Sequence, residues 1–264
     1  MNLNKMGISD VLLAVRNLNL PLYLAKVDIT QRYRRSSLGP FWITISTAVM
    51  VACIGLIFGN LFRTPMNDFL PFIATGLIVW NLISSTIIEA TTVFPSAEAI
   101  IKQLPLPLFT HVLRMVIRNV YIFLHNLIII PILLLILHRG VSWEAVLVIP
   151  GFLLLLLNLL WISLLLGIIC ARFRDMTQIV NSFLQVFFYV TPIIWMPEQI
   201  IKRAGSFILN INPFYHFMQL VRCPILNIYA TSTNWFCALV ICFLGWTITL
   251  AVFNKYRKNV PYWL

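Results

Sequence analysis

Charge is what this chain has least of. Aspartate, glutamate, lysine and arginine together make 10% of its 264 residues, and only eight residues are acidic. That is too few to cover the surface of a soluble globule, so soluble classes are excluded. Catalytic signatures are missing as well: there is no G-x-x-x-x-G-K-[ST] phosphate loop, no H-E-x-x-H and no G-x-S-x-G. The four histidines, His111, His125, His138 and His216, do not converge at metal-ligand spacing, so no metal site is expected. The five cysteines (Cys53, Cys170, Cys223, Cys237 and Cys242) are odd in number and lie mostly in or beside apolar runs. They form neither a disulfide framework nor a zinc pattern, and read as small apolar fillers. No compact apolar core followed by a small-residue cleavage site heads the sequence, so no cleavable signal peptide is expected. No carboxylate sits in the middle of an apolar run. That removes the ionisable midplane site on which an ion-coupled carrier depends. Energy for any transport would therefore come from another subunit.

What is present is apolar sequence in long runs. Sixty per cent of the residues are hydrophobic, and mean hydropathy is +0.91. The runs are continuous and long enough to cross a bilayer as helices. A transmembrane β-barrel would show alternating segments of about ten residues. The expected class is an all-α polytopic membrane protein forming a single transmembrane domain over 1–264. The net charge of +11 does not indicate nucleic acid, because the basic residues stand at the ends of apolar runs, as topology determinants do. A nucleic-acid surface would gather them on one soluble face.

The stretch from Ile29 to Phe62 anchors the topology. A basic segment with Arg32, Arg34 and Arg35 meets an uncharged run from Phe41 to Phe62, about 33 Å long as a helix. Six spans are expected: 41–62, 69–88, 116–137, 146–171, 179–196 and 235–253. Residues 1–37 form a cytoplasmic interfacial segment. It begins with an amphipathic helix whose apolar positions are Ile8, Val11, Leu12, Val15 and Leu18, with Asp10, Arg16 and Asn17 elsewhere on the wheel. Residues 96–107 hold a short cytoplasmic helix, with Ser96 as its N-cap and Pro105 as its stop. The region 197–233, broken by Pro213 and Pro224, fits two short re-entrant or interfacial helices on the external side. With both termini cytoplasmic, fourteen lysines and arginines fall inside and five outside (Arg63, Arg139, Lys202, Arg203 and Arg222). That asymmetry supports six spans.

Several polar positions fall within or beside the spans. His111, Arg114, Arg118, Tyr121 and His125 share one helix face. Arg118 must either snorkel to the inner surface or face protein or water; His125 suits a hydrogen-bonded packing role. Gly55 and Gly59 form a small-xxx-small pair that lets another helix approach closely. The fifth span mixes Asn181, Ser182, Gln185, Tyr189 and Thr191 with Phe187, Phe188 and Trp195. Polar groups at membrane depth require protein or water partners, so this helix faces a bundle interior or a pathway.

The order of motifs resembles the membrane subunit of ABC exporters of polysaccharides and polyol phosphates, such as O-antigen, capsule and teichoic-acid exporters. The resembling stretches are Asp28 to Trp42 (DITQRYRRSSLGPFW), Ile100 to Pro107 (IIKQLPLP), Arg174-Asp175-Met176, Tyr189 to Trp195 (YVTPIIW), and Asn212-Pro213-Phe214 followed by Arg222. The resemblance implies a non-enzymatic permease subunit in a bacterial cytoplasmic membrane. It implies a homodimer carrying two copies of a separate ATPase that binds the ATP and magnesium, and a lipid-linked glycan as substrate. It implies that Arg32, Tyr33, Arg34 and Arg35 stand where lipid phosphates gain access; plain positive-inside anchoring is the other reading. Ser96, Glu98, Ile101, Lys102, Gln103, Leu104 and Pro105, with Arg174 and Asp175, would couple to the ATPase. Gln185, Phe187, Phe188, Tyr189 and Trp195 would line the channel, or pack as ordinary aromatics. Asn212, Pro213, Phe214 and Arg222 would belong to an external gate. A drug, lipid or haem exporter of the same architecture is the alternative.

Overall fold

Proline and charge mark where the helices stop and start. The computed structural model describes residues 6–34, 39, 41–62, 64–140, 142–197 and 207–264. Arg35, Arg63, Lys202 and Arg203 lie outside the described residues. Among those described, the chain is helical and no strand occurs. In order the helices are α1 (Met6–Arg16), α2 (Asn19–Tyr33), α3 (Phe41–Phe62), α4 (Met66–Ala90), α5 (Glu98–Gln103), α6 (Leu108–Leu127), α7 (Ile129–Ile136), α8 (Val148–Arg172), α9 (Met176–Val190), α10 (Phe207–Ile211), α11 (Pro213–Ile225), α12 (Ser232–Tyr256) and α13 (Val260–Trp263).

Among the described residues, five stretches are long and apolar enough to cross a membrane: Phe41–Gly59, Met66–Ala90, Leu108–Ile136, Trp143–Arg172 and Ser232–Tyr256. They overlap the first four and the last of the expected spans. The third starts at Leu108, well before Val116, because Arg114 and Arg118 are accommodated inside the helix. The expected fifth span, 179–196, is helical only to Val190. At 15 residues α9 reaches about 22 Å, short of a hydrocarbon core of about 30 Å. Pro192 explains the stop: the residue before a proline is driven out of the helical region, and Thr191 is extended at ψ 134°.

Helices α8 and α12 lie side by side and run in the same direction. Asn158 donates to the Ala238 carbonyl (3.3 Å), Trp246 to the Leu157 carbonyl (3.1 Å), and Thr249 to the Trp161 carbonyl (3.5 Å). Parallel neighbours oblige the intervening chain to travel back, and α9 with the segment after it makes that return. One buried cluster joins α4, α7, α8, α9 and α11 around Ile73, Ile83, Leu155 and Phe217. A second, at the other end, joins α1, α6, α12 and α13 around Phe94, Phe109, Phe253 and Val260.

The glycine stripe of α3 seats α4 of the same chain. A Cβ on Gly55 would come within 2.3 Å of Leu70 Cδ2, and one on Gly59 within 2.7 Å of Met66 Sδ.

Two local expectations are corrected. Ser96 is not a helix cap: its hydroxyl donates back to the Val93 carbonyl (3.2 Å), and α5 begins at Glu98 after a single 3-10 turn. Asp10 is not on a solvent face of α1. It is fully buried, accepting from the N–H groups of Leu108 (3.1 Å) and Phe109 (3.0 Å) and pairing with Arg257 (2.7 Å). Pro107, at the N-cap of α6, has no side-chain acceptor to offer. The first N–H groups of that helix are satisfied from α1 instead. Ile8, Leu12, Leu13, Val15 and Leu18 point outward.

Candidate transport pathway

At the basic end of the bundle, three helices meet in a charged collar. Arg114 of α6 forms a two-pronged ion pair with Asp28 of α2, Nε to Oδ2 at 2.8 Å. One turn along, Arg118 bridges two carboxylates: Nη1 to Asp28 (2.9 Å) and Nη2 to Glu89 of α4 (2.8 Å). Asn119 adds a bond to Glu89 at 2.7 Å, and Arg32 approaches the same carboxylate at 3.6 Å. Of the two placements open to Arg118, the structure shows the one facing protein. The fork of each guanidinium suits this bridging, which a lysine point charge could not reproduce. Burial pushes the Asp28 carboxyl up, but the hydrogen bonds and charges of Arg114 and Arg118 outweigh it, and its pKa lies below the ordinary 3.8. Asp28 and Glu89 were not singled out as site residues from sequence; Asp28 is 90 residues from Arg118, and no local pattern links them.

A pH prediction follows, with the sign set by that downward shift. A carboxylate with a depressed folded pKa adds stability above its unfolded value, and loses it as pH falls through the folded value. The melting temperature of detergent-purified protein is expected to hold steady down to about pH 4 and to fall steeply beneath it. In Asp28→Asn this acid limb shrinks and the plateau drops. An unchanged limb in the variant would refute the assignment.

Arg32 and Arg34 are exposed and Tyr33 is half-buried on α2. Arg32 is thus the one described member of that set engaged in the collar. His125 is bonded through Nδ1 to the Tyr121 carbonyl (2.7 Å) and meets Phe41 edge-on at 6.0 Å. His111 is buried, with neither ring nitrogen bonded among the described residues. A polar cavity of about 300 Å³ lies between the collar and the turn leading to α5, lined by Glu89, Thr92, Ser96, His111, Arg114 and Arg118 among others.

Glu98 and Lys102 pair one turn apart on the exposed face of α5, at 2.6 Å. Ile101 turns the other way and packs on the cluster containing Phe94 and Val260. Gln103, Leu104 and Pro105 are exposed, as are Arg174 and Asp175 in the loop before α9. A second cavity, of about 360 Å³, lies between these two segments and brings Glu98, Arg174 and Trp263 to one rim.

Helix α9 presents a polar and aromatic face. Gln178, Asn181, Gln185, Phe188 and Tyr189 recur near helical spacing and, with Trp80, Ser84 and Ile88 of α4, line an open cavity of about 560 Å³. The expected channel-lining set divides. Gln185, Phe188 and Tyr189 line this cavity; Phe187 does not. Phe187 points to α11 and meets Phe214 at 4.9 Å, because it sits on the side of α9 that closes the core. Trp195, half-buried, folds back from the bend and donates to the Tyr189 carbonyl (3.0 Å). On the remaining side, Ile179, Phe183 and Val186 are exposed apolar residues.

At the far end, α11 grips the bend after α9. Asn212 caps α11 by accepting from the Phe214 N–H (3.0 Å), and its amide donates to Thr191 Oγ1 (2.8 Å). Pro213 occupies the first turn, where a missing N–H is tolerated. Phe214 stacks edge-on to Trp80 at 5.8 Å. Arg222, 1% exposed, donates to the Pro192 carbonyl at 2.7 Å.

Comparison with known proteins gives one family. A family profile described as ABC-2 type transporter matches residues 22–226. The chain is similar to a protein named O-antigen export system permease protein RfbA from Myxococcus xanthus, 24% identical over 200 residues, which cover 75% of this chain and 77% of that one. It is also similar to a protein of the same name from Klebsiella pneumoniae, 23% identical over 247 residues, covering 90% and 92% of the two chains.

Proposed function

Because the chain belongs to the ABC-2 type transporter family, we propose that it is the channel-forming permease subunit of an exporter that moves a lipid-linked polysaccharide across the bacterial cytoplasmic membrane. A separate ATPase drives it, and the permease works as a homodimer. The carrying observation is the cavity along α9, where amide side chains alternate with Phe188, Tyr189 and Trp80. Sugar rings present apolar faces and hydroxyl rims. Aromatic faces stack on the former and amides exchange hydrogen bonds with the latter, so a polymer slides past without one tight site. The similarity over 90% of the chain to Klebsiella proteins named as O-antigen export permeases supports the same cargo.

The other parts take consistent places. Six crossings, with α9 as the short fifth and both termini cytoplasmic, fit the parallel course of α8 and α12. The apolar side of α9 (Ile179, Phe183 and Val186) is left for a second copy, which would close the pathway. Arg32 and Arg34 stand at the inner rim, where guanidinium groups pair with the phosphates of a lipid carrier. The α5 segment, with Arg174 and Asp175, faces the ATPase. Helices α10 and α11, re-entering from the external side, close the outer end at rest.

The test is reconstitution. The purified chain alone is expected to hydrolyse no ATP. With its partner ATPase in proteoliposomes, hydrolysis appears and is stimulated by the lipid-linked glycan. Stimulation by drugs or free lipids but never by glycan would overturn the cargo; ATP hydrolysis by the isolated chain would overturn the subunit assignment.

Coupling makes its own prediction. The Glu98–Lys102 pair is half-exposed and adds little stability. Lys102→Glu should leave the melting temperature within a degree or two of wild type. Export per ATP hydrolysed is expected to fall by about tenfold. A variant that exports with wild-type stoichiometry would remove α5 from the coupling path.

A further inference from the structure

Arg222 is in an unusual setting for an arginine. Its guanidinium lies in a slot walled by α4: the Phe72 ring is 4.0 Å from Cζ, and Gly76 leaves the space that one terminal nitrogen fills. A Cβ at Gly76 would come within 2.1 Å of Nη2. One hydrogen bond holds the group, from Nη1 to the Pro192 carbonyl. Nε and Nη2 have no hydrogen-bond partner among the described residues, and no carboxylate among them pairs with it. The accepting carbonyl lies in the bend where α9 has just ended, so it has no helical partner of its own. Its neighbour Thr191 is held by Asn212 at the opposite end of α11. Two side chains of one helix thus grip two successive residues at the outer end of the pathway helix, and Gly76 lets that assembly seat against α4.

From this we infer that Arg222 is the releasable latch of the outer gate, with Gly76 as its keeper. The inference rests on the gate reading of α10 and α11 given above. A fully buried cation that has, among the described residues, one hydrogen bond and the Phe72 face but no carboxylate is held weakly for its burial. Outside the slot its donors would meet water or the hydroxyls of a passing glycan. The two positions are therefore near enough in free energy for cargo or the ATPase cycle to choose between them, as a gate requires. A fully paired arginine would lock the gate; an apolar residue would leave the bend without the hydrogen bond that holds it closed.

The test uses the full chain in proteoliposomes without ATP. In a background lacking the native cysteines, Ile193→Cys places a thiol on the bend, where Ile193 is fully buried. Its reaction with a membrane-impermeant maleimide reports release, and efflux of a trapped monosaccharide reports opening. Gly76→Ala evicts the guanidinium while leaving the arginine in the chain. Arg222→Met keeps the apolar stem on Phe72 but removes the donor. Both are expected to raise labelling and efflux by about tenfold with wild-type amounts of inserted protein. Should Arg222→Met fail to accumulate, Gly76→Ala decides by its efflux: the Arg222 tip it meets can move aside, whereas the Ile193 carbonyl, 3.3 Å from the added methyl, bears directly on the labelling readout. Labelling and efflux at wild-type levels in Gly76→Ala would overturn the latch. The glycan assignment fails separately: an unmodified permease–ATPase complex that transports no glycan would refute the cargo while leaving the latch measurements intact.

Discussion

Replacing Arg118 with methionine is expected to destabilise the protein by about 3–5 kcal/mol, the range for removing one partner from a buried ion pair. Arg118 is largely buried, at 19% side-chain exposure, and serves two carboxylates at once, Asp28 and Glu89. With the guanidinium gone, Asp28 still has Arg114. Glu89 keeps only Asn119 and the distant Arg32. The uncompensated charge on Glu89 is the main source of the loss, and that gives a control: Arg118→Met combined with Glu89→Gln should recover part of the stability, because no poorly paired carboxylate remains. Denaturation of the detergent-solubilised protein measures both. A loss below about 1 kcal/mol, the size of a surface pair, would mean the collar is solvated and not structural. The functional consequence is a loosened junction between α6 and α4, which Arg118 joins through Glu89. Export should fall even where Arg118→Met still inserts.

How far the sequence alone reached can be judged at this collar. Helical spacing placed His111, Arg114, Arg118 and His125 on one face, and the cost of a charge in the bilayer required Arg118 to have a protein, water or interfacial solution. The partner was out of reach, because Asp28 is joined to Arg118 by tertiary packing across 90 residues. Asp10 was misplaced for a related reason. A helical wheel ranks residues by polarity, and a carboxylate that caps another helix looks the same as one in solvent. A clue was present in the sequence: Pro107 at the start of α6 leaves N–H groups with no local acceptor, so one must come from elsewhere. Five apolar runs were legible because a membrane-spanning helix needs little beyond length and hydropathy. The premature end of α9 was legible in part, since Pro192 forbids helix at Thr191. The division of Phe187 from Phe188 was not, because adjacent aromatics on a helix differ by about 100°, and only the neighbours decide which faces the core.

Gly76 and Gly151 separate what the outer end needs for function from what it needs to exist. At both positions α11 lies too close for a side chain, but the obstructing atoms differ. A Cβ on Gly151 would sit 2.3 Å from the Leu220 carbonyl oxygen and 2.9 Å from its carbon. Those are backbone atoms in the middle of α11, and Leu220 is fully buried. Nothing there can rotate away, so Gly151→Ala must move one helix off the other. Overpacking of this kind costs about 1–3 kcal/mol and occasionally more, and its effect should concentrate on α11. Gly151→Ala is expected to lower the melting temperature by several degrees and to expose the segment after α9 to protease added from outside. Gly76→Ala should keep the wild-type melting temperature, because the group it displaces is the tip of Arg222. If Gly151→Ala keeps wild-type stability and protease resistance, α11 does not rest on α8 as described, and the seat on which the outer gate closes would have to be sought on α4 and α12.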